Sequence, residues 1–193
     1  MLDSDAARKS VTLGRLPHMG AHVIVLETAR TRLRLLTAED AQFILEILSD
    51  LSFIRNIGDR GVRTLQQAGD YIRTRIVDSY ERHGFGMWGV ERKADSVLMG
   101  MSGLVKRDEL EDVDLGFAFL PEYCGCGYAE ESALAVCRYS FDVLGLRRLV
   151  AITVPGNARS IALLEKLGLR FERTITLGEE DTPLRLYATE RPV

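Results

Sequence analysis

The chain has 193 residues, 46% hydrophobic and 27% charged, a balance that excludes wholesale disorder and points to one globular domain with a short extension. Its 25 Lys and Arg against 28 Asp and Glu give a net charge of −3. That leaves no cationic surplus for a general nucleic-acid binder, and no apolar run reaches the roughly 18 residues of a spanning helix. Three cysteines, an odd number, make no disulfide framework, and the N-terminus lacks the apolar core of a secretory signal. A cytoplasmic protein with neither nucleic acid nor membrane as partner is therefore expected.

Residues 1–26 read as a flexible N-terminal extension, because Gly14, Pro17 and Gly20 interrupt any periodic pattern. His18 and His22 have a helical metal-binding spacing, but Pro17 and Gly20 oppose a helix there, and no Cys or carboxylate lies nearby to complete a site. The domain is expected over 27–193. Thr31–Leu36 alternates as a half-buried strand, and Thr37 opens a helix whose apolar face is Ile44, Ile47, Leu48 and Leu51. A second start at Thr64 carries a helix through Tyr71, Ile72, Ile76 and Val77, ending before His83-Gly84. Phe85–Glu91, Val97–Val105 and Val113–Leu120 then read as an antiparallel meander, with Trp88 as core. A glycine turn over Cys124–Tyr128 precedes a helix from about Ala129 to Leu144, capped by Gly145. Arg148–Thr153 is a strand, and a last helix starts at Gly156-Asn157 and stops at Leu167-Gly168. Two strands, Phe171–Leu177 and Leu184–Thr189, flank a turn over Gly178–Pro183. The order is β-α-α-β-β-β-α-β-α-β-β, one α/β (α+β) domain without internal repeats.

The most informative stretch runs from Val113 to Ala129, where a strand enters a glycine turn that opens a helix. Free N–H groups at a helix start, helped by the dipole, suit a phosphate, and Gly125 and Gly127 let backbone approach a pyrophosphate without a Cβ in the way. A plain β-to-α turn explains the same residues. The turn lacks the Lys-Ser/Thr ending of a Walker loop, and Glu130 breaks the Gly-x-Gly-x-x-Gly fingerprint. Cys124, Cys126 and Cys137 have no fourth ligand for a metal, so none is expected, and no His lies in these motifs to serve a cysteine nucleophile.

Cys124–Ala129 resembles the Arg/Gln-x-x-Gly-x-Gly/Ala signature with which GNAT-family N-acetyltransferases hold acetyl-coenzyme A. Asn157 to Phe171 resembles that family's Asn-x-x-Ser/Ala…Glu-Lys-x-Gly-Phe helix. Thr28–Thr37, Gly84–Val90 and Pro121–Ala129 are similar to the ribosomal-protein (RimJ/RimL-type) alanine N-acetyltransferase branch. The resemblance covers about residues 27–190 and implies a GNAT domain. Such a domain has a mostly antiparallel seven-stranded sheet with a splayed central strand pair, flanked by about four helices.

It also implies roles. Backbone N–H groups of Cys124, Gly125, Cys126, Gly127, Tyr128 and Ala129 would grip the pyrophosphate of acetyl-CoA. Backbone of Phe117 and Phe119 would pair with the pantetheine as an added strand, one N–H polarising the thioester carbonyl. Asn157 would hydrogen-bond the pantetheine, cap the last helix, or do both. Cys124 and Cys126 stand where charged or larger residues are usual, a departure that should weaken coenzyme binding. Leu164 stands where many relatives carry a tyrosine acid, leaving Ser160 as a hydrogen-bond donor to the departing thiolate or merely a first-turn polar residue.

Asp114 is the candidate base; an exposed strand acid beside Glu111 and Asp112 is its other reading. An α-amine of pKa near 7.8 is roughly 10–15% neutral at pH 7, against about 0.04% for a lysine near 10.4, so the lack of an unambiguous base favours a weakly basic amine. The arginines of Arg55–Arg75 form a solvated face or shape the approach of an acidic substrate, which makes that segment the candidate for substrate specificity. The expected activity is acetyl transfer from acetyl-CoA to a primary amine by direct attack in a ternary complex, with a protein N-terminal α-amine favoured. A small-molecule amine (polyamine, amino acid or antibiotic) acceptor and a non-catalytic acyl-CoA-binding module are the alternatives. A homodimer is an open arrangement.

Overall fold

The computed structural model describes residues 23–178 and 180–191; His18 and His22 lie outside them, as does most of the extension. The last residues of that extension do not stand apart. Val23, Val25 and Leu26 pack partly buried against the core while Ile24 stays exposed, and Ile24–Glu27 forms β1. It pairs antiparallel with β2 (Thr31–Arg34). The sheet therefore has eight strands where seven were expected. The others are β3 (Met87–Arg92), β4 (Leu98–Val105), β5 (Asp114–Phe119), β6 (Arg148–Thr153), β7 (Arg170–Leu177) and β8 (Glu180–Glu190). Their spatial order is β1-β2-β3-β4-β5-β6-β8-β7.

Every neighbouring pair is antiparallel except β5 and β6, which run parallel and share one register pair, Asp114 with Val150. The Val150 N–H donates to Val113 O at 3.0 Å; beyond that point the two strands diverge. The last hairpin is tighter than its sequence suggests. Leu177 pairs with Glu180, and a register shift between Ile175 and Leu177 takes up the extra residues. Pro183 is thus inside β8, beyond the last pairing with β6 at Arg185, where its missing N–H breaks no bond to that strand.

Helices cover both faces. The first expected helix is two: α1 (Ala41–Ser49) and α2 (Leu51–Ile57). Asp50 separates them in extended conformation, and its carboxylate accepts the N–H groups of Ser52 and Phe53 at 2.8 and 3.2 Å, a side-chain cap that starts the second helix. Leu51 therefore leaves the apolar face of α1 and is 81% exposed. The second expected helix starts as its sequence indicates, with Thr64 and Gln67 in a capping box. It runs as α3 (Leu65–Tyr71), a π-helical segment over Ile72–Val77, and α4 (Asp78–His83), ending at left-handed Gly84. α5 (Tyr128–Asp142) and α6 (Ala158–Lys166) complete the set.

One main core joins these layers, with a small separate cluster of Leu110, Val150 and Leu186 beside it. Trp88 is 1% exposed and meets Tyr139 of α5 edge-on at 5.4 Å. A buried ion network pins the start of the fold. The Arg34 guanidinium donates to both Asp40 oxygens at 2.9 and 2.7 Å, to Glu91 at 3.1 Å and to Leu35 O at 3.1 Å. Tyr80 ties the α4 face to the sheet, donating to Met87 O at 2.5 Å and accepting the Leu36 N–H at 3.3 Å.

Candidate active site

The divergence of β5 from β6 exposes the backbone of one strand. Leu120 N–H bonds Met99 O across the β4–β5 ladder. Since hydrogen-bonded pairs alternate in an antiparallel ladder, the even-numbered residues of β5 face β4. Leu115, Phe117 and Phe119 consequently turn their N–H and C=O groups toward the gap. The side chains of Phe117 and Phe119 are half-buried against the core.

At the end of β5 the chain passes through a short 3₁₀ turn, Pro121–Tyr123, into the glycine loop. Gly125 and Gly127 have φ of +78° and +81°, conformations that cost other residues roughly 1–2 kcal/mol. The N–H groups of Gly125, Cys126, Gly127, Tyr128 and Ala129 have no hydrogen-bond partner among the described residues, while Glu131 N–H closes the first helical bond to Gly127 O at 3.1 Å. Cys124 departs from expectation: its N–H is already held by Pro121 O at 3.2 Å. Its thiol leans on Phe119 O and Leu120 O at 3.8 and 3.6 Å, and partial burial pushes its pKa up. Five adjacent unpaired amides at a helix start form a cradle suited to a pyrophosphate.

A cleft of about 640 Å³ extends from the splayed strands between β5, β6, the π-helical segment and α6. Phe117, Ala151 and Leu164 contribute apolar wall, while Asp114, Asn157 and Ser160 contribute polar groups. Asn157 Oδ1 caps α6 by accepting the Ser160 N–H at 3.2 Å, and its amide NH₂, on a residue bordering the cleft, has no partner among the described residues. The Ser160 hydroxyl makes no hydrogen bond among the described residues and borders the same space. Leu164 is buried at the wall, so no tyrosine hydroxyl is supplied from that position. A second, more open groove of about 470 Å³ between β1 and α5 is mainly apolar and gathers none of these groups.

Asp114 is not the exposed acid of its alternative reading. Its side chain is 2% exposed, with Oδ2 paired to Arg107 Nε at 2.7 Å and Oδ1 without a hydrogen bond. Burial pushes its pKa up to about 6 against the opposing pull of Arg107 and the Ile152 amide. A buried carboxylate with one oxygen free of hydrogen bonds, on a residue that borders a cleft, has the charge and pKa of a proton acceptor near neutrality. Of the arginines over 55–75, Arg60 and Arg75 border the cleft with Arg82; Arg63 and Arg73 pair outward with Asp59 and Asp70. Arg107 escaped sequence reasoning, although seven residues from Asp114, because its role depends on the turn between β4 and β5. Among the described residues no cluster of three or more His, Cys, Asp or Glu is placed to hold a metal, and no helix is long and apolar enough to cross a membrane.

Comparison with known proteins agrees with this geometry. The family described as "Acetyltransferase (GNAT) domain" matches residues 30–170. The uncharacterized N-acetyltransferase YoaA of Bacillus subtilis is 32% identical over 173 residues, spanning 87% of this chain and 97% of YoaA. A GNAT-family acetyltransferase from Bacillus anthracis superposes with a TM-score of 0.71 at 25% identity, over 85% of this chain and 96% of that one. The ribosomal L7/L12 α-N-protein acetyltransferase RimL has a TM-score of 0.75 at 13% identity, over 92% and 100%, a likeness of fold. The splayed strands, the amide cradle and these matches place the chain in the GNAT family of acetyl-CoA-dependent N-acetyltransferases.

Proposed function

We propose that this protein transfers the acetyl group of acetyl-CoA to a primary amine by direct attack in a ternary complex, with a protein N-terminal α-amine as its acceptor. The observation that carries the reading is the opening between β5 and β6, with outward-facing β5 backbone and a buried carboxylate at the cleft and the amide cradle following the end of β5 in the chain. The amides of Gly125 through Ala129 hold the pyrophosphate. The backbone of Phe117 and Phe119 receives the pantetheine as an added strand, and one of their N–H groups faces the thioester oxygen as it gains negative charge. Donors preorganised in this way contribute about 3 kcal/mol to such reactions. The Asn157 amide anchors the arm from the α6 side.

Asp114 takes the proton from the attacking amine through a water relay, because its free oxygen Oδ1 is buried, and Arg107 keeps the carboxylate oriented. Ser160 donates a hydrogen bond to the departing thiolate. With a carboxylate pKa of about 6, an ammonium near 7.8 lies within two units of its acceptor, whereas a lysine ammonium near 10.4 lies more than four above it. That gap supports an α-amine over a lysine side chain and is the reason for preferring this acceptor.

The test is a screen of acetyl-CoA with N-terminal peptides, lysine peptides, polyamines and amino acids, read by mass spectrometry. Acetylated peptide N-termini support the reading. Product from only small amines would move the acceptor to that class. CoA binding by calorimetry with no acetylated product from any amine would leave a non-catalytic acyl-CoA-binding module instead.

A further inference from the structure

The amide cradle lacks a cationic side chain of its own and begins a helix with two acids, Glu130 and Glu131, in its first turn. Uncompensated, both would repel a pyrophosphate at that helix start. Each meets a cation from another element. Lys166 of α6 reaches Glu130 at 2.5 Å in an exposed pair. Arg30, on the turn between β1 and β2, engages Glu131 much more fully.

The Arg30 Nε–H donates to Glu131 Oε2 at 2.7 Å, and its own backbone N–H donates to Oε1, also at 2.7 Å. The neighbouring Thr28 hydroxyl adds a bond to Oε1 at 2.5 Å. The guanidinium also donates to Cys126 O at 3.1 Å and lies over the Tyr128 ring, 4.5 Å from its centroid. Its Nη2 would be 3.2 Å from a Cβ at Gly127, so the arginine packs closely on the loop glycine.

The bond to Cys126 O has a directional consequence. In a trans peptide the C=O of one residue and the N–H of the next point in opposite directions. Fixing Cys126 O toward Arg30 therefore aims the Gly127 N–H away from it, to the other side of the loop. One side chain thus orients a cradle amide, cancels the acid beneath it and stacks on the first residue of α5.

We infer that Arg30 is the positioning residue of the donor-phosphate site, giving a loop built from Cys124 and Cys126 the electrostatic support that its own side chains do not supply. The inference rests on the proposed use of acetyl-CoA at this loop. It assigns Arg30 no contact with the reacting atoms, so its effect belongs in donor affinity and not in turnover.

The experiment compares the wild type with Arg30→Ala, Arg30→Lys and the double variant Arg30→Ala/Glu131→Gln. CoA affinity is read by calorimetry. Steady-state rates use acetyl-CoA and S-acetylpantetheine, which keeps the thioester and arm but lacks the pyrophosphate, with the best amine from the screen. Arg30→Ala should weaken CoA binding and raise the acetyl-CoA KM by about tenfold, the scale of one lost charge-assisted hydrogen bond, with kcat within about twofold. Its kcat/KM for S-acetylpantetheine should stay at the wild-type value. Arg30→Lys should recover part of the affinity through charge alone, and the double variant part of it by removing the uncompensated acid.

If the wild type does not bind CoA, the coenzyme reading falls and this inference with it. Unchanged CoA affinity in Arg30→Ala overturns the inference alone. Equal losses with both donors would also overturn it, since a merely structural arginine would disturb the whole cleft regardless of the pyrophosphate.

Discussion

Replacing Asp114 with asparagine should separate catalysis from stability with opposite signs. In the unfolded chain the carboxyl titrates at its ordinary 3.8, and in the folded protein at about 6, with burial as the leading cause. Between those values the folded state holds a proton that the unfolded state releases, so the wild type loses stability as pH rises through this window. Roughly two pKa units correspond to about 3 kcal/mol once the carboxylate is fully ionised. The neutral amide of Asp114→Asn has no charge to bury, so the variant escapes that loss. It forfeits the pair with Arg107, whose side chain is 29% exposed and can turn to water for about 1 kcal/mol. Urea unfolding should therefore show Asp114→Asn gaining on the wild type by roughly 2–2.5 kcal/mol between pH 4 and pH 7.5, since part of the loss has already occurred at pH 4. Over the same range its kcat should fall by about 10²–10³-fold, the scale of a lost general base. Its pH profile should also lose an acidic limb near pH 6. A variant destabilised equally at both pH values would identify Asp114 as an ordinary ion-pair partner. Undiminished kcat with the limb intact would remove it from the mechanism.

Three further outcomes follow from the geometry. Arg34→Met leaves Asp40 and Glu91 buried without their shared cation. It should cost about 3–5 kcal/mol in urea unfolding without altering CoA affinity of the folded fraction; a loss below about 1 kcal/mol would contradict the network's role. Gly103→Ala places a Cβ 2.1 Å from Gly86 O, which is backbone and cannot yield, whereas at Gly116 the nearest atom is the flexible Met87 Sδ at 2.9 Å. Thermal unfolding should find the first severely destabilised and the second mildly so, with Gly116→Ala raising the acceptor KM because residue 116 borders the cleft. Finally, Cys124 and Cys126 are exposed and Cys137 buried, with burial pushing the Cys137 thiol up to about 12. Native protein should alkylate fastest at Cys126, more slowly at Cys124, whose thiol burial pushes up, and slowest at Cys137, and saturating CoA should slow the first two; labelling indifferent to CoA would take the donor away from this loop.

Much of the fold was legible because its signals are local. The capping box at Thr64 and Gln67, the C-terminal stop at Gly84 and the meander from β3 to β5 each need only a few adjacent residues. What escaped depended on partners distant in sequence or on competing local signals. β1 is four residues long and becomes a strand only because β2 supplies its hydrogen bonds. The Asp50 break was hidden by Leu51, whose spacing continued the apolar face of α1 while Asp50 was capping a new helix. The π-helical segment over Ile72–Val77 leaves the helical periodicity recognisable and shifts only its phase.

The candidate site divides along the same physical line. Its glycines were readable because a left-handed turn restricts residue type; Gly125 has no atom within 4 Å of an added Cβ, so φ alone demands glycine there. The amides need only a backbone, and this bears on Cys124 and Cys126: their substitution for charged residues removes side-chain charge while leaving the Gly125–Ala129 N–H groups in place. The compensating cation lies 101 positions from Glu131, on a turn whose sequence carries no signature of phosphate chemistry. A loop reading therefore overstates the weakness implied by its cysteines, because electrostatic support can enter from any element the fold brings near. Arg30 and the buried Asp114 illustrate complementary cases: one exposed charge matters through the peptide it orients, and one buried charge matters through the water it has lost.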